Sequence, residues 1–293
     1  MTDSHRLSRR TFLGSVAAAA TVSIVPSHVL GGKSGTPPSE KFTFAQVGCG
    51  GRGAGDLGGV LGAGGKLVGL CDVDPGRAGK AFKNHDVPTF SDYRKMLDKL
   101  EKDIDGVVVA TPDHTHAVAA LDAVKRGKHV YVEKPLARTF QECQVLLDAA
   151  RTHKVVTQMG NQGHSGDGLK LWERMSGADA CGEVRRMHIW TDRPVWPQGM
   201  TEAPKSDPVP KGFDWDSWIG PVAMRPFSKK YLPFNWRGWW DFGCGAMGDM
   251  ACHNMDPAIW IYKLGLPTKV KAQASAPAGI AYPKWSIIEY TFA

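Results

Sequence analysis

Phe42-Thr-Phe-Ala-Gln-Val-Gly48-Cys-Gly50-Gly-Arg-Gly53 decides how this chain is read. A strand runs into a Gly-x-Gly-x-x-Gly turn that opens a helix. Gly48, Gly50 and Gly53 permit a tight turn, close approach of backbone to a pyrophosphate, and close packing of helix on strand. The N-terminus of the helix presents unpaired N–H groups and a positive dipole end to phosphate. Glycine is abundant here, with 34 in 293 residues, so the pattern alone is weak. Its context strengthens it. Lys66-Leu-Val-Gly-Leu-Cys-Asp72 reads as the second strand, and Asp72 ends it 24 residues after Gly48. A carboxylate there accepts hydrogen bonds from both hydroxyls of an adenosine ribose. It also repels a 2′-phosphate, so NAD is favoured over NADP. An ordinary strand-end turn is the plain alternative for Asp72, and nearby Arg77 weakens the case against NADP.

The alternation continues downstream. Ser91 is expected to cap a helix whose Met96, Leu97 and Leu100 share one face. Ile104-Asp-Gly-Val-Val-Val-Ala110 has the unbroken apolar character of a buried parallel strand. Thr111 is then the N-cap and Pro112 the first residue of a helix that Gly127 stops. His129-Val-Tyr-Val-Glu133-Lys134-Pro135 is a fifth strand. Thr139-x-x-Glu142 is a capping box, and Lys154-Val-Val-Thr-Gln-Met159 is a sixth strand. This β-α order from about residue 40 to 160 predicts a doubly wound Rossmann sheet.

Two constellations carry chemistry. Lys134 ends a parallel strand, so it faces the crevice where such sheets hold ligands, and Pro135 would aim it rigidly. A solvated loop lysine is the alternative. Further on, Gly245-Ala-Met-Gly-Asp249-Met-Ala-Cys-His253-Asn-Met-Asp256 places Asp249 and His253 four apart on one helix face. A carboxylate that orients a histidine makes a competent general base near neutral pH. A surface pair, or metal binding by Asp249, His253 and Asp256, are the competing readings. Asp113-His-Thr-His116 also offers metal-ligand types. Without a cysteine or a fourth ligand nearby, these residues read as a helix start beside the cofactor, and no metal is expected.

In joint order, these motifs resemble the Gfo/Idh/MocA oxidoreductases, relatives of glucose–fructose oxidoreductase and inositol dehydrogenase. The resemblance rests on the glycine fingerprint, the acid after strand two, Thr111-Pro-x-x-x-His116, Glu133-Lys-Pro, and Gly245-Ala-x-x-Asp249-x-x-x-His253. It covers roughly residues 42 to 293. It implies an α/β chain: a Rossmann domain, then an α/β domain with an open, mostly antiparallel sheet. It implies that Thr111, Pro112, His116 and Glu133 join Gly48, Gly50, Gly53 and Asp72 around NAD. It also implies that Lys134, Asp249 and His253 act on a sugar or cyclitol hydroxyl, with His253 as base and Lys134 as the cation beside the reacting oxygen. The expected domains are a leader and linker over 1–39, the NAD-binding domain over 40–160 and a substrate domain over 161–293.

The amino terminus addresses location. Ser8-Arg9-Arg10-Thr-Phe-Leu13 precedes a short apolar stretch, the pattern of a Tat export signal. Periplasmic export through the Tat machinery is therefore expected. No clean Ala-x-Ala site is visible, which leaves open membrane tethering by an uncleaved signal. Net charge is +7, of which residues 1–38 supply +3, so the remainder is too diffuse for nucleic-acid binding. Six scattered cysteines show neither metal spacing nor a disulfide framework, and Cys49 and Cys71 read as buried thiols.

Seven of the ten tryptophans fall in 190–240, a Pro-rich stretch whose aromatic faces, with Asp192, Arg193 and Arg237, suit stacking on a sugar ring. Subunit contact or packing over the sheet is the alternative. Strands are expected at about 183–191, 269–275 and 285–292. The last runs to the terminus without a turn or polar tail, so the second sheet reads as incomplete and the chain as a fragment of a longer protein, a homo-oligomer when full-length. The expected activity is NAD-dependent oxidation or reduction of a sugar or cyclitol. The alternatives are an NAD-dependent glycoside hydrolase acting through transient oxidation, or an inactive carbohydrate-binding relative that keeps NAD.

Overall fold

A computed structural model describes residues 40–178, 180, 182–276 and 279–293. The export signal lies outside the described residues. From Phe42 onward the chain forms one unit.

Six strands make a wholly parallel sheet: β1 Thr43–Val47, β2 Lys66–Cys71, β3 Thr89–Phe90, β4 Gly106–Val109, β5 His129–Glu133 and β6 Thr157–Gly160. Their order is β3-β2-β1-β4-β5-β6. The order reverses between β1 and β4, which creates a crevice at the carboxyl ends of those strands. Helices α1 (Arg52–Gly62), α2 (Pro75–Asn84), α3 (Tyr93–Leu100), α4 (Asp113–Lys125) and α5 (Phe140–His153) connect them.

Alternation along the strands divides the core in two. Phe44, Leu70 and Val108 pack with Leu57 of α1 and Ala78 of α2 on one face. Ala45, Val107 and Val109 pack with Met96, Leu97 and Leu100 of α3, Val124 of α4 and Leu146 of α5 on the other. Both faces are covered, so the strands carry unbroken apolar runs. Cys49 and Cys71 are buried free thiols, as expected, and burial pushes both well above the usual thiol range.

Two helix starts differ from expectation by one residue. Asp92, not Ser91, caps α3: its carboxylate accepts from the Arg94 backbone N–H. Pro112, not Thr111, caps α4, and the helix begins at Asp113. Pro112 has no N–H to give and takes an extended conformation, φ −60° and ψ 150°. The Thr139/Glu142 capping box of α5 forms as read.

After β6 come α6 (Asp167–Gly177), α7 (Trp215–Ile219), α8 (Gly245–Asn254) and α9 (Asp256–Ile261), then an antiparallel pair, β7 (Lys269–Ala274) and β8 (Ser286–Thr291). The strand expected at 183–191 does not form; residues 182–191 are irregular. That segment alternates weakly and pairs with no strand among the described residues, its Trp190 carbonyl accepting instead from Asn254 Nδ2, and an extended segment without a strand partner gains no ladder hydrogen bonds. The tryptophans are mostly structural. Trp196, Trp215, Trp218, Trp236 and Trp239 are buried, and all but Trp196 share a cluster with Phe227, Tyr231 and Phe242. Trp215 and Trp218 stack at 4.9 Å between ring centroids. Packing therefore engages most of these rings, although Trp218 and Trp236 also line the cleft described below. His114 ties this cluster to the sheet: its ring nitrogens face the carbonyls of Phe242, at 3.2 Å, and Trp218, at 2.7 Å.

Candidate active site

A cleft of about 770 Å³ runs over the carboxyl ends of β1, β2, β4 and β5. Gly48, Gly50, Asp72, Thr111, Pro112, Glu133, Lys134 and His253 all line it.

Its cofactor end is made largely by backbone. Gly48 has φ +87°, and a Cβ there would lie 2.5 Å from the Ala110 carbonyl oxygen. Gly53 has no room either, since its Cβ would lie 2.1 Å from the Gly48 carbonyl oxygen. Gln46, fully buried in β1, locks the turn by donating from Nε2 to the carbonyls of Gly48 at 2.9 Å and Gly53 at 2.6 Å. Asp72 accepts from the Cys49 N–H at 2.8 Å and the Asp74 N–H at 2.9 Å. Burial raises its carboxyl pKa, and those two N–H groups oppose the rise. Each oxygen keeps a second lone pair for a ligand hydroxyl. Thr111 Oγ1 is buried with no partner among the described residues. A turn that excludes side chains, a fixed carboxylate and an unsatisfied hydroxyl fit a dinucleotide with an unmodified adenosine ribose.

Glu133 closes the far side. It pairs with Arg52 Nε at 3.1 Å and accepts from Gln162 Nε2. Arg52 also meets Asp56 at 2.7 Å. Burial, with the Glu133 charge second, pushes Asp56 up to about 6. His116 departs from expectation: it is fully buried and absent from the cleft wall. Its ring nitrogens face the carbonyls of Thr111 and Pro135, both at 2.8 Å. It braces the ends of β4 and β5 and does not reach the cofactor surface.

The candidate catalytic end is built from side chains. Lys134 sits before a cis peptide bond to Pro135. Its Nζ donates to Asp249 Oδ1 and to the Asp249 carbonyl, each at 3.0 Å. Arg237 Nε donates to the same Oδ1 at 3.1 Å. The Arg237 guanidinium lies over the rings of Trp236, at 4.1 Å, and Phe234, at 4.4 Å. The expected Asp249–His253 contact is absent. Two cations claim the carboxylate, and charge-assisted bonds outcompete a neutral imidazole. His253 instead faces Asn161: Nδ1 lies 2.7 Å from Asn161 Oδ1. Burial lowers the His253 pKa, and the charge of Lys134 adds to the effect. Asp113 lies buried at the start of α4, and burial pushes its carboxyl up to about 7. No metal-holding cluster occurs among the described residues.

Sequence reading missed Gln46, Arg52, Asn161 and Gln162. The signal for the last two was their place just after β6, at the carboxyl edge of the sheet where ligands bind.

A six-stranded parallel sheet with a glycine turn and a carboxylate after β2 is the arrangement of a dinucleotide-binding Rossmann domain, here with a cluster of titratable side chains at the same cleft. The chain belongs to the GFO/IDH/MocA oxidoreductase family: residues 42–161 match its NAD-binding Rossmann fold and residues 186–293 its C-terminal α/β domain. Levoglucosan dehydrogenase of Pseudarthrobacter phenanthrenivorans is 29% identical over 171 residues, which are 58% of this chain and 36% of that protein. Glycosyl hydrolase family 109 protein 1 of Shewanella sp. (strain MR-4) is 41% identical over 80 residues, 27% of this chain and 17% of that protein. The fold is shared with the WlbA dehydrogenase of Chromobacterium violaceum, crystallised with NADH and UDP-GlcNAcA. The TM-score is 0.63 and the identity 22%, over 86% of this chain and 64% of that one. The chain thus spans less than two thirds of each of these relatives.

Proposed function

We propose that this chain belongs to an NAD-dependent dehydrogenase acting on a ring hydroxyl of a sugar or cyclitol. The observation that carries the reading is that Lys134 and His253 line the same cleft as the fixed carboxylate of Asp72. The nicotinamide, when bound, supplies the hydride acceptor. Gly48, Gly50, Gly53, Asp72, Thr111, Pro112 and Glu133 are the residues that hold the dinucleotide. Breaking the carbinol C–H bond leaves a proton on oxygen, and His253 takes it. The lowered His253 pKa keeps the imidazole neutral, as a base must be. Lys134, fixed by Asp249, faces the oxygen and stabilises developing alkoxide. Asp249 orients the cation and not the base. The test is absorbance in the NADH band of purified protein, before and after a panel of sugars and cyclitols. Substrate-dependent NADH formation is expected. Its absence across the panel, with NAD bound, refutes the reading.

A second reading is favoured by the 41% identity to the Shewanella glycosyl hydrolase family 109 protein. The same base and cation would oxidise a sugar transiently and let a glycosidic bond break. Release of an aglycone without net NADH identifies that outcome. Binding of sugar with neither product identifies an inactive carbohydrate-binding protein.

Export in the folded state accompanies either reading, supported by Arg9-Arg10 ahead of the apolar run. Replacing both arginines with lysine is expected to hold the protein in the cytoplasm. Unchanged periplasmic recovery refutes export by that route.

A further inference from the structure

Asn161 directly follows β6. A Cβ at Gly160 would lie 2.6 Å from Glu133 Oε1, so the chain leaves β6 close against the Glu133 side chain; Gln162 reaches the cleft wall, while Asn161 lies behind it and meets His253, which lines the cleft. The Asn161 residue is 9% exposed. Its Nδ2 donates to the Cys252 carbonyl at 2.7 Å, and its Oδ1 lies 2.7 Å from His253 Nδ1.

These contacts orient one another. A carbonyl oxygen only accepts, so the amide nitrogen must face Cys252. The amide oxygen therefore faces His253. That oxygen also only accepts, so Nδ1 must carry the imidazole hydrogen. A neutral imidazole has one N–H, and Nε2 is left with a bare lone pair. Nε2 has no hydrogen bond among the described residues, and His253 lines the cleft. Asp249, the expected orienter, is committed to Lys134 and Arg237.

We infer that Asn161 is the positioning residue of this site: it holds His253 in the Nδ1–H tautomer and leaves Nε2 as the nitrogen that takes the substrate proton. The catalytic half of that statement rests on the reading of His253 as base; the tautomer stands on the hydrogen bonds alone. The charges that act on His253 are Lys134 and Glu133 at the end of β5, Asp249 on α8 and Asp256 on α9. Asp256 is itself paired with His164 at 2.8 Å.

The test uses the protein with NAD bound and two variants, Asn161→Ala and Asn161→Asp. Both lose the donor to Cys252, so the difference between them isolates the acceptor facing Nδ1. Long-range ¹H–¹⁵N spectra of the histidine rings, with His253 assigned by its loss in His253→Gln, are expected to show the Nδ1–H form in the parent and in Asn161→Asp. A mixture is expected in Asn161→Ala. On a substrate found by the sugar panel, Asn161→Ala is expected to lose about 10–100-fold in kcat, the scale of lost orienting partners elsewhere, with KM and NAD affinity nearly unchanged. Asn161→Asp is expected to recover much of that loss and to move the acidic limb of the kcat profile to higher pH, because an anion favours imidazolium. An Nε2–H tautomer in the parent overturns the inference whether or not any sugar is oxidised. Equal losses in both variants with an unmoved limb overturn it too. An Nδ1–H parent that oxidises nothing upholds the tautomer and refutes the dehydrogenase reading instead.

Discussion

The two ends of the cleft are held by different means. At the cofactor end the partners are mostly backbone: the Gly48 turn packs on the Ala110 carbonyl, and Asp72 is gripped by the Cys49 and Asp74 amides. At the catalytic end the partners are side chains from separate elements. Lys134 comes from β5, Arg237 from the segment before α8, Asp249 and His253 from α8 itself, and Asn161 from the end of β6. Backbone contacts are fixed by local geometry and tolerate distant change. A side-chain network is only as ordered as its least constrained member, and it titrates. The cofactor end should therefore fail through shape, and the catalytic end through charge and protonation.

The largest effect should separate the ends most sharply. His253→Ala and Lys134→Ala are each expected to lose about 10²–10⁴-fold in turnover, the usual worth of an acid–base group, with NAD affinity little changed. Steady-state kinetics beside NAD titration measures both. Near-normal turnover in either variant removes that residue from the chemistry.

The reverse experiment breaks the cofactor end. Asp72→Ala removes a carboxylate that accepts from a ribose, and bonds to charged groups are worth about 1.5–3 kcal/mol. NAD affinity should fall by roughly tenfold to a hundredfold on that scale, and NADP affinity much less, so the preference narrows. Gly53→Ala should also weaken NAD, because the new Cβ has 2.1 Å to the Gly48 carbonyl and the turn must open. Equal affinity for both cofactors in the parent protein refutes the role given to Asp72.

The same contrast explains what could be read from sequence. The cofactor end follows from local patterns: an apolar strand, glycines at fixed spacing and an acid after the second strand, all within a few dozen residues. Errors there are few: a one-residue offset at Ser91, where the Asp92 carboxylate takes the cap, and His116, which is buried behind the cleft instead of lining it. The candidate catalytic residues Lys134, Asp249 and His253 could be singled out, but their partners could not. Lys134 and Asp249 are 115 residues apart, and Asn161 and His253 are 92 apart. Spacing along a helix put Asp249 beside His253, and no local rule weighs that pair against a distant lysine and arginine. The tryptophan-rich stretch was left between two readings for a related reason: composition does not distinguish a ring that meets a ligand from one buried against other rings, and Trp218 and Trp236 do both, packing in the cluster while lining the cleft.

The last test asks whether the candidate catalytic end carries an electrostatic cost in the folded protein. Asp113 is fully buried, feels the charges of Arg237, Asp249 and Lys134, and leaves Oδ2 without a partner among the described residues. Burial favours its neutral form and pushes the carboxyl up to about 7. An unfolded aspartate titrates near about 3.9. The sign follows from linkage: the unfolded chain releases this proton at lower pH than the folded one. Asp113 therefore costs nothing below about pH 4, and increasingly opposes folding as pH rises toward about 7. The slope it adds is at most about 1.4 kcal/mol per pH unit. His253, with its pKa lowered, acts oppositely, losing stability as pH falls through the ordinary histidine range, so the parent's total slope mixes both. The difference between the parent and Asp113→Asn isolates one group. Urea unfolding at intervals from about pH 4.5 to about pH 7.5 is expected to show the parent losing stability relative to Asp113→Asn as pH rises, with the gap flattening above about 7. Parallel curves would mean that Asp113 ionises in the fold as it does in water, and that Arg237 and Lys134 fully offset its burial.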